Sequence, residues 1–233
     1  MLFRSSASRE LATYLNPDAT VVSLQNGVDN VKQIREASGI EALAGLVYVA
    51  VAADTPGRVK DAGRGGWDLV IGPKCGRARG VAEMFARAGV PCRVSRNMQS
   101  ELWTKLIWNC ALNAISGLGK AKYGEIAGSR EAREMVRAVV SEVLEVARAA
   151  RIVLPGFENT HPAMEGAMKI AAQMAEARSS TARDLERGKR TEIDSLNGYI
   201  ARCGERLGIA TPVNQALTAL VKLREVRPSA PAG

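Results

Sequence analysis

The chain has 233 residues, 46% hydrophobic and 24% charged, with a net charge of +8; that is room for one large domain or two small ones, in an ordinary globular composition. No run of about 18 apolar residues offers a membrane span, no charged-then-apolar opening marks a secretion signal, and the basic residues are dispersed among acids without the aromatic interleaving of a nucleic-acid surface. With His161 as the single histidine and Cys75, Cys92, Cys110 and Cys203 scattered without CxxC spacing, a His-based zinc site and a Ser-His triad are excluded, and free thiols in a reducing cytoplasm are expected.

Residues 5–15 read as a helix, with Ser6 or Ser8 as N-cap and Leu11, Tyr14 and Leu15 as its apolar side. Asn16-Pro17-Asp18 turns the chain into a β-branched strand, Thr20–Leu24. Gln25-Asn26-Gly27 follows at the strand's C-terminal end, and a helix from Val28 to Ser38 closes at Gly39. Ligands of open parallel sheets sit beyond the carboxyl ends of strands, which places Gln25 and Asn26 where a ligand would be. Asn-Gly equally serves as a plain tight turn. Leu43–Ala53 reads as one strand buried on both faces, broken by Asp54–Gly57. Arg58–Ala62 and Trp67–Ile71 read as two shorter strands joined in a hairpin across Gly63-Arg64-Gly65-Gly66. A phosphate cradle needs a helix after such a loop, and a strand follows instead. Arg77–Ala88 is a helix capped by Gly89, and Cys92–Ser95 is the last strand.

Beyond residue 97 the pattern is entirely helical, over about 99–116, 125–151, 162–177, 180–189, 191–207 and 212–225. Val136, Val139, Val140, Val143, Leu144 and Ala147 give the second of these a continuous apolar face. Pro155 and Pro162 mark the break before the third, and Pro212 opens the last. The fold class is therefore an α/β domain over 1–96 followed by an all-α domain over 97–226, with 227–233 as a frayed tail.

Two constellations carry candidate chemistry. In the helix Glu101–Asn113, Lys105, Asn109 and Asn113 fall at i, i+4 and i+8, so each step turns about 400° and the three side chains make one stripe. An ammonium followed by two amides suits a small, oxygen-rich molecule; a solvated polar face has the same spacing. Later, Ser179-Ser180-Thr181-Ala182-Arg183-Asp184 precedes a segment in which Thr191, Glu192 and Asp194 occupy the expected first turns of a helix. N-terminal helix charge explains Glu192, and N-capping explains Ser180, without any ligand. Taken with Lys105 they supply an amine, two amides, a hydroxyl and a carboxylate, a set able to protonate a carbonyl oxygen, anchor a carboxylate and hold a hydroxyl.

The Q-N-G turn at Gln25–Gly27, the W-x-K-L-x-x-N-x-x-x-N helix at Trp103–Asn113 and the S-S-x-x-x-D … T-E-I-D-x-L-N-G segment over Ser179–Gly198 together resemble the ketopantoate reductase family, from about residue 18 to about residue 225. The resemblance implies reduction of 2-dehydropantoate to pantoate with NADPH, on the route to pantothenate and coenzyme A. It also implies a Rossmann domain joined to a helical domain similar to that of 6-phosphogluconate dehydrogenase. Lys105 then corresponds to the general acid that protonates the ketone oxygen. Asn109 and Asn113 hold the substrate, Glu192 grips its hydroxyl, Ser180 binds its carboxylate, and Asn26 lies at the junction with NADP. The implied partner is a small 2-oxo acid, and a homodimer is left open.

Two positions depart from the family's pattern: Tyr123 and Ala177 stand where an Asn is common, which opens the way to a related 2-oxo acid or a sister dehydrogenase. Family chains also begin with a strand and a G-x-G-x-x-G turn. Gly117-Leu118-Gly119 does not supply that turn, because no strand precedes it. On the resemblance, this sequence starts inside the Rossmann domain, short by about 70–80 residues or half a dinucleotide-binding fold, and with it go the residues that would select NADPH over NADH. A non-catalytic remnant with an exposed sheet edge is the alternative expectation.

Overall fold

In the computed structural model, which describes residues 2–48, 51–55, 57–61 and 68–225, the front of the chain runs helix α1 (Leu2–Ala12), strand β1 (Val22–Ser23), α2 (Asn30–Ser38), β2 (Leu43–Tyr48), β3 (Val51–Thr55), β4 (Arg58–Asp61), β5 (Asp68–Gly72), α3 (Gly76–Arg87) and β6 (Cys92–Val94). Four strands form one sheet in the order β1-β2-β5-β6, with β1–β2 and β5–β6 parallel and β2–β5 antiparallel. Alternation along the strands sorts their side chains to two covered faces. Leu43, Val47, Leu69 and Ile71 pack with Ala78, Val81 and Phe85 of α3, while Ala44, Leu46, Tyr48 and Val70 pack with Met98 and Leu102. Burial on both faces, expected for the apolar run, holds for β2.

That run does not continue as one strand. Its second half is β3, which leaves the main sheet and pairs antiparallel with β4, Thr55 opposite Arg58. The break expected at Asp54–Gly57 is therefore the reversal of a hairpin, with Gly57 at φ 78°. A short reversal closes at less entropic cost than a longer loop, so β4 pairs back onto β3 instead of forward onto β5. The hairpin expected between Arg58–Ala62 and Trp67–Ile71 is not formed, because β5 is already flanked by β2 and β6; residues 63–66 lie outside the described residues. At the front, α1 begins at Leu2, so Ser6 and Ser8 lie inside the helix and not at its N-cap position. Its expected apolar side is not buried within the chain: Leu11 is 41% exposed and Tyr14 80%.

The chain divides into two units, Met1–Leu102 and Trp103–Gly233. The second is helical throughout its described residues: α4 (Met98–Gly119, which enters it from the first), α5 (Tyr123–Gly128), α6 (Arg130–Ala149), α7 (Thr160–Gln173), α8 (Ser180–Glu186), a single 3-10 turn (Ile193–Ser195), α9 (Asn197–Leu207) and α10 (Pro212–Glu225). The helix expected over 125–151 is split at Ser129, whose hydroxyl accepts from the Ala132 amide at 3.1 Å and starts α6. The apolar face read on α6 is buried as expected. Pro162 lies inside the first turn of α7, where its missing N–H costs nothing. The helix expected from 191 starts only at Asn197. The proposed frayed tail falls outside the described residues.

Candidate functional site

Helix α4 carries the stripe. Trp103, buried, packs edge-on against Tyr199 of α9 with ring centroids 6.0 Å apart, and Leu106, Ile107 and Cys110 bury the opposite side of the helix. This fixes the rotation of α4, so Lys105 and Asn109 are left half-buried and Asn113 becomes 4% exposed. Burial pulls the Lys105 ammonium below its ordinary pKa, because a charged amine loses hydration there; the carboxylate of Glu192 acts in the opposite direction. Lys105 and Glu192, 87 positions apart in sequence, are thus electrostatic neighbours.

The segment around Glu192 is held by its flanking residues. Thr191 donates from its amide and its hydroxyl to the Glu225 carboxylate at 2.7 and 2.6 Å. Asp194 pairs with Lys222 at 2.6 Å and Arg190 at 3.3 Å, and its carbonyl accepts from Arg202 at 2.8 Å. Burial pushes the Asp194 carboxyl up, but Lys222, Arg202 and Arg190 together hold it below the usual carboxylate value. Two of the three polar residues of this motif therefore anchor the turn that presents the third. Glu192 precedes the 3-10 turn without a side-chain capping hydrogen bond, and α9 starts only at Asn197, so Glu192 does not lie in the first turn of an α-helix as the helix-charge explanation requires.

A structural consequence follows for Asp194. A depressed folded-state pKa contributes stability that is present above the unfolded value and lost as pH falls through the folded one. Asp194→Asn is expected to cost about 1 kcal/mol at neutral pH, measured by urea unfolding, and to flatten the dependence of stability on pH below 4 or so. An unchanged acid limb would show that the ion cluster does not hold the turn.

The serine pair divides its labour. Ser179, 1% exposed, is the N-cap of α8: its hydroxyl accepts from Ala182 N at 3.0 Å and donates to the Asn113 carbonyl at 2.9 Å. Ser180 begins the helix and is exposed, so the capping role considered for it belongs to its neighbour. Close approach of α4 and α8 explains Gly117, where a Cβ would come within 3.0 Å of Thr181 Cγ2 and 3.2 Å of Leu185 Cδ1. Tyr123, 8% exposed and first residue of α5, donates its hydroxyl to Asn113 Oδ1 at 3.0 Å, and its amide donates to the Ala177 carbonyl at 2.9 Å. The two positions that depart from the family pattern are direct backbone partners.

In the first unit, Asn26 is half-buried at the C-terminal end of β1. Its loop is organised by a residue not singled out in the sequence, Asn30, whose buried amide donates to the carbonyls of Gln25, Asn26 and Gly27 at 3.1, 3.0 and 3.3 Å. Gly27 has φ 106°, closed to L side chains at low cost. The N-G-x-x-N spacing was the available signal, since an Asn one turn into a helix reaches back over the loop that precedes it. For a dinucleotide the fit is partial. The described residues offer this loop beyond a parallel strand, but no glycine-rich strand–turn–helix to receive a pyrophosphate.

A sheet with parallel strand pairs and flanking helices, followed by an all-helical unit, is the two-part architecture of a dehydrogenase-type oxidoreductase. Family models described as "Ketopantoate reductase PanE/ApbA" and "Ketopantoate reductase PanE/ApbA C terminal" match residues 4–74 and 97–225. The chain belongs to the ketopantoate reductase family. It is 34% identical over 218 residues to the 2-dehydropantoate 2-reductase of Pyrobaculum aerophilum, covering 94% of this chain and 73% of that one. To the 2-dehydropantoate 2-reductase of Archaeoglobus fulgidus it is 37% identical over 210 residues, covering 88% and 68%. The crystal structure of a PanE/ApbA family ketopantoate reductase from Ralstonia eutropha JMP134 aligns with a TM-score of 0.86 at 42% identity, over 95% of this chain and 72% of that one. D-mandelate dehydrogenase, solved with NADH, shares the fold with a TM-score of 0.85 at 23% identity, over 95% and 75%.

Proposed function

We propose that the chain reduces 2-dehydropantoate, or a closely related 2-oxo acid, to the 2-hydroxy acid with NADPH, in pantothenate biosynthesis and in the cytoplasm, where its free Cys75, Cys92, Cys110 and Cys203 stay reduced. Residues 1–96 serve the cofactor in this assignment, with Asn26 at its reacting end, and residues 97–226 bind substrate. NADPH, when bound, supplies a hydride. The proton comes from this chain: Lys105 passes it to the ketone oxygen as the carbonyl carbon is reduced, and the neutral amine is reprotonated from solvent. Before transfer, the ammonium also stabilises the charge growing on that oxygen. Asn109 and Asn113 hold the substrate along α4, Ser180 meets its carboxylate, and Glu192 accepts from its hydroxyl.

The observation that carries this reading is the half-buried Lys105 with its pKa lowered by desolvation and sustained by Glu192, because a general acid works best with a pKa brought towards the operating pH. Loss of reduced nicotinamide absorbance across a panel of 2-oxo acids, including 2-dehydropantoate, is the direct test; no turnover with any member overturns the assignment. The pH profile tests the pairing. Reduction needs the protonated amine, so the rate falls as pH rises through the Lys105 pKa. Glu192→Gln removes the charge that raises this pKa, and the alkaline limb is expected to move to lower pH. A limb that stays in place would remove Glu192 from the proton-transfer machinery.

A further inference from the structure

At the Asn113 end of the stripe, three elements meet through short, buried contacts. Ser179, at the start of α8, holds the Asn113 carbonyl, and Ser180, the residue assigned to the substrate carboxylate, is its chain neighbour. Tyr123 opens α5 and holds the Asn113 side chain through Oδ1. The Tyr123 backbone is in turn pinned to Ala177, and Gly124 N to the Ala175 carbonyl at 2.9 Å, so the ring cannot withdraw without unpairing α5 from the segment that leads into α8. A carboxamide is nearly symmetric in shape but not in chemistry: one end accepts and the other donates. Whichever end a buried neighbour takes, the ligand meets the other.

We propose that Tyr123 is a specificity-determining residue, whose phenol engages Asn113 Oδ1 and so turns the Nδ2 donor end of the amide towards the substrate, selecting a pure acceptor such as a carboxylate at that point. The direction of the Tyr123–Asn113 bond follows from the surroundings. Burial raises the phenol to about 12, which keeps it protonated, while the positive charge of Arg183 acts on the same group. A cation beside the phenol favours presenting oxygen to the cation and hydrogen to Asn113. In this proposal the donor end of Asn113 and the hydroxyl of Ser180, whose neighbour Ser179 holds the Asn113 carbonyl, serve the same acceptor group. This assignment rests on the 2-oxo acid reading of the site and adds to it the polarity that the substrate must have at the end remote from Lys105.

The test is a matched pair of ligands, 3,3-dimethyl-2-oxobutanoate and its primary amide, titrated in the presence of NADP+ by ligand-observed NMR. The wild-type protein is expected to prefer the acid. In Tyr123→Phe the ring remains but the amide of Asn113 is free to turn, and the acid-to-amide preference is expected to fall about 5-fold, as loss of one hydrogen-bond's worth of orientation implies. A purely structural role would weaken both ligands alike and leave the ratio unchanged, which overturns the proposal. Asn113→Asp gives an independent arm that leaves Tyr123 intact: an acceptor replaces the donor, and the preference is expected to reverse towards the amide. An unchanged preference there also overturns the proposal. If the wild-type protein binds neither ligand, the 2-oxo acid reading fails and the role of Tyr123 falls with it. If it binds the acid and only the ratios fail to move, the reading stands and Tyr123 alone is wrong.

Discussion

Replacing Lys105 with alanine is expected to lower kcat for 2-oxo acid reduction by about 10²–10⁴-fold, the range for removing a positioned general acid. The loss should appear mainly in kcat. Asn109, Asn113, Ser180 and Glu192 would still hold substrate, so KM would change less than the turnover it accompanies. Lys105→Arg sharpens the result. Arginine keeps a positive charge beside Glu192 but does not give up its proton at accessible pH. It should bind substrate nearly as well as lysine and still turn over slowly, separating charge stabilisation from proton donation. Because the lysine is only half-buried and lies on a helix fixed elsewhere by Trp103 and Ile107, neither substitution should much alter unfolding. An alanine variant that retains turnover would sink the role given to Lys105.

Much of this arrangement is legible in the sequence because it is periodic or local. The stripe on α4 follows from a spacing of four, the apolar face of α6 from valines at helical intervals, and the end of α2 from Gly39, which caps the Arg35 carbonyl. What escaped is long-range. The apolar residues that lead from β2 into β3 carry the same β propensity on both sides of the point where they change sheet, so nothing local says where the strand should divide. Likewise, the acidic residues around Glu192 resemble a helix N-terminus, yet Thr191 and Asp194 are held by Glu225 and Lys222 from α10, and those partnerships replace the first helical turn with a 3-10 turn. The pairing of Tyr123 with Asn113 and Ala177 depends on α5, α4 and the segment that leads into α8 meeting in space. A residue-by-residue comparison with the family flags both positions as unusual without revealing that they touch.

The largest structural effect is expected at a residue that touches none of the proposed substrate contacts. Glu142, on α6 and 8% exposed, accepts from the amides of Val213 and Asn214 at 2.8 and 2.9 Å and from Asn214 Nδ2 at 2.7 Å. It thereby satisfies the free amides at the start of α10, where a negative charge also meets the positive end of the helix dipole. Asn214 Oδ1 accepts from Asn197 Nδ2 at 2.9 Å, and the same Nδ2 reaches the Cys110 carbonyl of α4 at 3.1 Å. A single buried polar chain therefore links α6, α10, α9 and α4, ending one residue from Asn109. Glu142→Ala strands three donors in the interior, and a loss of about 3 kcal/mol is expected, a large part of the roughly 5–15 kcal/mol that holds a domain together. Glu142→Leu fills the space but satisfies none of the donors, so it should lose a similar amount. Glu142→Gln keeps one acceptor and should lose about half as much. Urea unfolding of the three variants orders these terms. If alanine and glutamine lose equally, charge matters more than acceptor count; if leucine restores stability, packing at this position outweighs the hydrogen bonds, and the buried chain is not what holds α4 in register.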